Sequence, residues 1–407
     1  MTSVAEAPPG SSVHLRLLAD PAGSRLDTHL SQHGRLPVPD ASQVIGMARD
    51  AGLTGRGGAG FPLWRKLTAV AATRRPAVVI ANGAEGEPAS GKDKALLSYA
   101  PNLVLDGLQL IAAGAGSAVL YAPAAAHPAL RQLIDQRRAA GLDRVPVRLV
   151  AAPDAFVSGE ESAVASAVAG RDAVPADKLV RITDSGPDGS PTLVQNVETL
   201  AHLAMIARYG PGWFRTAGTY DEPGTFLATI SGAVASPGVV EAGYGVALGD
   251  LIAAAGGATT PLSAVLVGGY HGGWVPADPA LGVSRAALTP YGGSPGAGVI
   301  MALPAGSCGL IETARIAGYL AGQVAGQCGP CVNGLPTLAN TLTDLANRRA
   351  RPGLPAEVER LTRLVTGRGA CRHPDGTARL ITSAMRLFHA DVDAHLAGRC
   401  LSEGSYR

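Results

Sequence analysis

Between residues 76 and 153 short, continuously apolar runs alternate with longer amphipathic stretches. PAVVIAN (76–82), SAVLYAP (117–123) and VPVRLVAAP (145–153) are apolar at successive positions, the pattern of strands buried on both faces of a parallel sheet. PNLVLDGLQLIAAG (101–114) and HPALRQLIDQRRAAG (127–141) lie between them with helical spacing. This βαβαβ succession predicts a parallel sheet covered by helices. A further helix is predicted over VQNVETLAHLAMIARYG (194–210).

After Trp213 the pattern changes. Residues 225–304 hold short strands with Gly/Pro punctuation, TFLATISGAVASPGVVE and AVLVGGYHGGWVP, around one short helix, LGDLIAAAGG; they read as an α+β module. Beyond 310 the spacing is helical in IETARIAGYLAGQV, LPTLANTLTDLANRR, PAEVERLTRLV and TARLITSAMRLFHADVDAHL, four helices that predict a small bundle. A chain of 407 residues is too long for one ordinary core. The expected divisions are a disordered lead-in at 1–25, an α/β domain at 26–218, the α+β module at 222–304 and a helical domain at 308–400.

Composition is globular, with 46% hydrophobic and 16% charged residues, and the net charge of +2 gives no argument for nucleic acid or an anionic membrane surface. No apolar run reaches the roughly 18–20 residues that span a bilayer. The N-terminus lacks a charged region followed by an apolar one, so a cytoplasmic location is expected. Cysteines stand at 308, 328, 331, 371 and 400, all in the last quarter, which argues for a local metal or redox site rather than a disulfide framework.

Gly55, Arg56, Gly57, Gly58, Ala59, Gly60 and Phe61, followed by Lys66, place four glycines in six positions. Backbone amides can there converge on an anion without Cβ obstruction, with Arg56 and Lys66 as sources of phosphate charge. A flexible glycine loop would show the same composition. Asn82-Gly-Ala-Glu85-Gly-Glu87 follows a predicted parallel strand, where open α/β sheets bind ligands, although a polar loop reads alike. Glu160 and Glu161 also follow a strand; alone they are best read as a helix N-terminus with favourable charge. Cys328-Gly-Pro-Cys331, with Cys371 forty residues on, brings two thiolates within reach of one metal or cluster. A thioredoxin-type CxxC is the rival, but that opens a helix in a βαβ context.

Taken in order, GRGGAGFPLWRKL, NGAEGEPASGKDK, GEESAV, VQNVETL, QCGPCVNG and Cys371 resemble the FMN-carrying, NADH-oxidising subunit of respiratory complex I and its relatives in NAD-dependent hydrogenases and formate dehydrogenases. The resemblance runs from about 45 to 398. It implies an α/β FMN domain with a parallel sheet, an α+β β-grasp module of the soluble-ligand-binding type and a C-terminal four-helix iron–sulfur bundle. It implies FMN at Gly55–Gly60, Lys66, Asn82, Glu85, Glu160, Glu161, Gln195 and Asn196, and the nicotinamide nucleotide at Phe61, Glu87, Glu161 and Lys178. Cys328, Cys331 and Cys371 would hold an iron–sulfur cluster, 4Fe-4S or 3Fe-4S. NAD(P)H would be the substrate, and a ferredoxin or another iron–sulfur subunit the protein partner. No nucleic acid and no membrane span are expected.

The departures fall on both cofactors. The family's first cluster cysteine is Ala325 here, and His373 is the nearest alternative ligand. Cys308 precedes a predicted helix of about 14 residues, which puts its thiol roughly 20 Å from the cluster end; Cys400 could return only if the tail folds back. The family's Asp in NADEGEP is Ala84, and its first Asn in NNVETL is Gln195. Two adenine-stacking aromatics are replaced by Ala69 and Arg181. The function expected is FMN-dependent electron transfer between NAD(P)H and an iron–sulfur cluster; the alternatives are a flavoprotein relay without nucleotide and a non-catalytic scaffold.

Overall fold

The apolar runs at 76–82 and 117–123 become buried strands of a four-stranded parallel sheet, whereas the run at 145–153 forms its edge strand, where no residue is fully buried, so the expected burial on both faces is corrected there. In the computed structural model, residues 16–19, 23–177, 179–349, 351 and 353–402 are described, apart from the side chain of residue 187. Lys178 and much of the 1–25 segment lie outside them. The chain folds into two units. The first takes in the described residues up to Ala228 and returns for Val239–Val246; the second holds Thr229–Gly238 and the described residues from Ala247 on.

The first unit opens with α1 (Leu26–His33), α2 (Ala41–Asp50) and α3 (Leu63–Ala72). Asp40 starts α2 with a reciprocal cap, its carboxylate accepting from Gln43 N while Gln43 Oε1 accepts from Asp40 N. Then come β1 (Val78–Asn82), α4 (Lys92–Tyr99), α5 (Pro101–Ala112), β2 (Ser117–Pro123), α6 (His127–Ala139), β3 (Val147–Ala152), α7 (Glu161–Val168), α8 (Ile182–Ser185), β4 (Thr192–Asn196) and α9 (Val197–Phe214). The sheet order is β3-β2-β1-β4, all parallel. α5 and α9 pack on one another so closely that a Cβ on Gly107 would run into the Leu200 carbonyl.

The predicted helix over 194–210 needs correction. Thr192–Asn196 is a strand, and the helix begins only at Val197. A short buried strand is an apolar run that periodicity cannot distinguish from a helical turn. The switch falls at Asn196, which has extended backbone and whose Oδ1 accepts from Glu198 N at 3.0 Å.

β5 (Thr225–Gly232) leads from the first unit into the second, and β6 (Gly238–Gly243) leads back. The second unit continues with α10 (Leu248–Ala254), β7 (Leu262–Val267), β8 (Gly273–Pro276), α11 (Arg285–Leu288) and β9 (Val299–Pro304). Within it the strands run β5-β9-β7-β8, with Thr229–Gly232 parallel to β9 and the β9–β7 and β7–β8 pairs antiparallel. Next are α12 (Gly309–Gly322), α13 (Leu335–Ala346), α14 (Leu354–Val365), α15 (His373–Leu387) and α16 (His389–Leu396). α12 packs on α13 and α15, and α14 packs on the same two helices. The expected single helix over 377–396 is broken at Phe388. α15 also lies against β8, where Ser383 Oγ accepts from Trp274 N at 2.9 Å, so strand-rich and helical segments share one unit. Among the described residues no single helix is long and apolar enough to cross a membrane.

Candidate functional site

β1 and β4 are neighbours, with Asn82 opposite Asn196 at their carboxyl ends. β1 continues through α4 and α5 to β2 on one side, while β4 lies on the other. Strand order therefore reverses between them, the place where open α/β sheets bind ligands.

The glycine loop reaches this point from outside the sheet. Gly55 N donates to Phe61 O at 2.9 Å and Thr54 bridges Pro62, so the segment closes on itself just before α3. Gly58 and Gly60 have φ of 106° and 64°, where a side chain would be strained. The loop rests on the start of α9. Arg56 N donates to Thr199 Oγ1 at 2.9 Å, and a Cβ at Gly57 would stand 3.4 Å from Asn196 Cβ.

Arg56 departs from its expected use. Its buried guanidinium donates to the carbonyls of Thr54, Pro223 and Thr225 and to Thr54 Oγ1, and lies 4.6 Å from the centre of the Tyr244 ring. It fixes the loop from beneath rather than offering phosphate charge. Lys66 remains accessible in α3, with Nζ 2.7 Å from Glu161 Oε1.

The remaining expected residues gather around the two strand ends. Asn82 Nδ2 donates to Gly159 O at 3.0 Å and its Oδ1 accepts from Ala84 N at 3.1 Å, which ties the turn after β1 to the one before α7. Glu85 turns back onto α4, accepting from Ser90 Oγ and from the amides of Asp93 and Lys94. Glu87 accepts from Ala89 N at 3.2 Å. Glu160 is the N-cap of α7, its carboxylate accepting from Ser162 N, Ser162 Oγ and Ala163 N. Gln195 is buried, and among the described residues its Nε2 has no hydrogen-bond partner. Phe61 is 46% exposed at the loop's end.

Beneath the strand ends lies a buried charged cluster in which Lys92 and Asp93, which follow the Asn82–Glu87 motif in sequence, meet Glu198, which the sequence pattern did not single out. Lys92 Nζ stands 2.7 Å from Asp93 Oδ1 and 2.9 Å from Glu198 Oε2, and Asn196 Nδ2 donates to Asp93 Oδ2 at 2.8 Å. Burial opposes the charge on Lys92, but Asp93 and Glu198 outweigh it and hold the amine above its ordinary pKa. Burial likewise raises Glu198, yet Lys92 and His202 bring its carboxyl down to about 2. Burial pushes Asp93 up to about 7, with Glu85 adding to the rise and Lys92 opposing it. These residues sit inside the motifs GKDK and NVETL, which was the available signal.

In the second unit Cys328 and Cys331 lie on the turn before α13, where Cys331 N donates to Cys328 O at 3.0 Å. Burial raises the Cys328 thiol, but amide N–H groups of Ala370 and Cys331 aimed at it bring it below its ordinary value. Burial and the neighbouring thiols of Cys328 and Cys371 push Cys331 up to about 12. His373 is corrected as a substitute ligand. Its Nε2 is 2.8 Å from Leu320 O and its Nδ1 is 3.1 Å from His271 Nε2, so both ring nitrogens are engaged. Cys400 does fold back, to Cys308.

Comparison with known proteins agrees with this organisation. Residues 48–205 match the Nuo51 FMN-binding domain, residues 312–395 the NADH-ubiquinone oxidoreductase-F iron–sulfur binding region and residues 227–270 the SLBB domain. The class so defined is that of flavin- and iron–sulfur-binding electron-transfer subunits. Within it the chain resembles the F component of NADH-quinone oxidoreductase. It is 28% identical to the second such F component of Rhizobium meliloti, over 95% of this chain and 98% of the relative. It is also 28% identical to the F component of the Streptomyces coelicolor enzyme, over 89% and 84%. Among solved structures, an air-oxidised NAD+-reducing [NiFe]-hydrogenase matches with a TM-score of 0.83 and 29% identity, over 97% of this chain and 68% of that one.

Proposed function

We propose that this chain is an FMN-dependent oxidoreductase subunit that moves electrons between NAD(P)H and an iron–sulfur cluster, and onward to a ferredoxin or another iron–sulfur subunit. The observation that carries it is the meeting of the glycine loop, the Asn82–Glu87 turn and the Glu160–Glu161 turn at the carboxyl ends of β1 and β4. FMN fits there on two counts. Loop glycines leave backbone amides unobstructed, and the buried Gln195 amide has no partner among the described residues. When bound, FMN supplies the exchange between two-electron hydride chemistry and single-electron transfer.

Within the Gly55–Gly60 loop the amides of Gly55 and Arg56 are taken by Phe61 O and Thr199 Oγ1, so those from Gly57 to Gly60 would cradle its phosphate, and Lys66 would bring positive charge held in place by Glu161. Asn82, Glu85, Glu160, Gln195 and Asn196 shape the pocket; Glu85, Glu160 and Asn196 do so by capping helices. By the resemblance, Phe61, Glu87, Glu161 and Lys178 are assigned to the nucleotide. Cys328, Cys331 and Cys371 supply thiolates to the cluster, whose fourth position has Ala325 instead of a cysteine. We read the second unit as a β-grasp module followed by a four-helix cluster domain.

With Ala69 and Arg181 in place of two stacking rings, nucleotide affinity is lowered by about 1–3 kcal/mol, taking ~0.5–1.5 kcal/mol per aromatic pair. NADH is therefore expected to bleach the flavin in anaerobic stopped-flow, but only at high concentration. Bleaching by reduced ferredoxin with none by millimolar NADH or NADPH would replace this reading with that of a relay between proteins.

A further inference from the structure

Away from the three cluster cysteines, four potential ligands converge within the second unit. Cys308, Asp391, His395 and Cys400 each place one ligand atom within 4.8 Å of all the others. They come from three places in the sequence. Cys308 occupies the N-cap position of α12. Asp391 and His395 are four residues apart on α16 and so share one helix face. Cys400 lies beyond the end of α16, where Gly398, with φ of 73°, turns the chain back. Cys308 and His395 are buried; Asp391 and Cys400 are half-buried.

The histidine is oriented for coordination. Its Nδ1 is 3.1 Å from Leu345 O, so the ring donates there and leaves the Nε2 lone pair facing the Cys308 thiol at 3.5 Å. A backbone carbonyl on the far nitrogen is the usual way a metal-binding imidazole is held in its tautomer. The 3.5 Å separation is itself informative. A sulfur at ~2.3 Å and a nitrogen at ~2.0–2.1 Å from one tetrahedral zinc stand about 3.5 Å apart. Two thiolates, one imidazole and one carboxylate make a donor set suited to zinc.

We propose that Cys308, Asp391, His395 and Cys400 form a zinc site, separate from the iron–sulfur ligands, that fastens the C-terminal segment to the start of α12. With four protein ligands the coordination sphere is closed, so the site is structural rather than catalytic. Binding energy of such an ion is released only when the ligands are gathered, and it therefore stabilises the helical region.

The test starts from a full-length chain carrying Cys328→Ser, Cys331→Ser and Cys371→Ser, which removes the competing thiols. Purified without oxygen after growth with added zinc, it should hold about one zinc per chain by elemental analysis. Adding Cys308→Ala or Cys400→Ala should reduce zinc at least tenfold. In the natural chain, Cys308→Ala should lower zinc while leaving iron content unchanged. Cobalt(II) added to the chelator-treated triple variant gives a second measurement free of the cluster thiols: it should produce thiolate-to-metal absorption and the intense visible bands of tetrahedral cobalt. Asp391→Ala should weaken those bands. The proposal is overturned if the triple variant holds no zinc and gives no cobalt spectrum after Cys308 and Cys400 have been reduced. It is equally overturned if Cys308→Ala leaves zinc unchanged, or if intact mass shows Cys308 and Cys400 joined as a disulfide that forms with zinc present.

Discussion

Lys92 and Glu198 form a 2.9 Å ion pair in which both side chains are almost wholly buried. Lys92 comes from the first turn of α4 and Glu198 from the first turn of α9, so the pair locks together the helices that follow β1 and β4. Glu198 also accepts from Leu227 N at 2.9 Å.

Removing one member should therefore cost far more than an exposed pair would. Lys92→Met leaves Glu198 and Asp93 buried without their cation, and a loss of about 3–5 kcal/mol is expected for such a break. Adding Glu198→Gln should return part of it. Urea unfolding followed by circular dichroism checks both, and equal stability of Lys92→Met and the natural chain would show that the pair is not formed.

The glycine loop yields a graded prediction. At Gly57 a Cβ would stand 3.4 Å from Asn196 Cβ, a tight but attainable contact, whereas branched methyls reach further into the cradle. Gly57→Ala should keep most of its flavin and Gly57→Val should be colourless. Flavin absorbance per chain decides it; yellow Gly57→Val protein with undiminished FMN counts against the cradle.

For the cluster, Cys328→Ser, Cys331→Ser and Cys371→Ser should each lose iron and acid-labile sulfide, while Cys308→Ala and Cys400→Ala should keep both. Retention of iron in Cys371→Ser together with its loss in Cys308→Ala would put the cluster at the wrong end of α12.

His202 predicts a pH dependence of the first unit. It is buried beside Phe214, with its Nε2 3.8 Å from Glu198 Oε1, beyond hydrogen-bond distance. Burial brings its pKa from the ordinary 6.5 down to about 4, despite the nearby Glu198 charge. Across that window the unfolded imidazole binds a proton that the folded one refuses. The contribution to stability is thus complete above about 6.5 and is lost as pH falls to about 4, on the order of 3 kcal/mol in all. His202→Phe should lack this loss. Denaturant unfolding at pH 7.5 and pH 4.5 should show the variant gaining on the natural chain at the lower pH, and an unchanged difference would exclude the effect.

By itself the sequence determined what local pattern can carry. Three of the parallel strands followed from apolar runs, and α5, α6, α12, α13 and α14 from their spacing, while α15 and α16 read as a single helix. The glycine loop, the acidic turns and the CxxC were legible because their chemistry lies in adjacent residues. Tertiary structure decided what depends on distant partners. It made Thr192–Asn196 a strand by pairing it with β1, where a short apolar run alone is ambiguous. It turned Arg56 inward, because carbonyls nearly 170 residues away offered better partners than solvent. It engaged both nitrogens of His373 with Leu320 and His271, and it brought Cys400 back to Cys308. Loop-closing contacts of this kind depend on where separate helices pack, and no spacing rule within one segment encodes them.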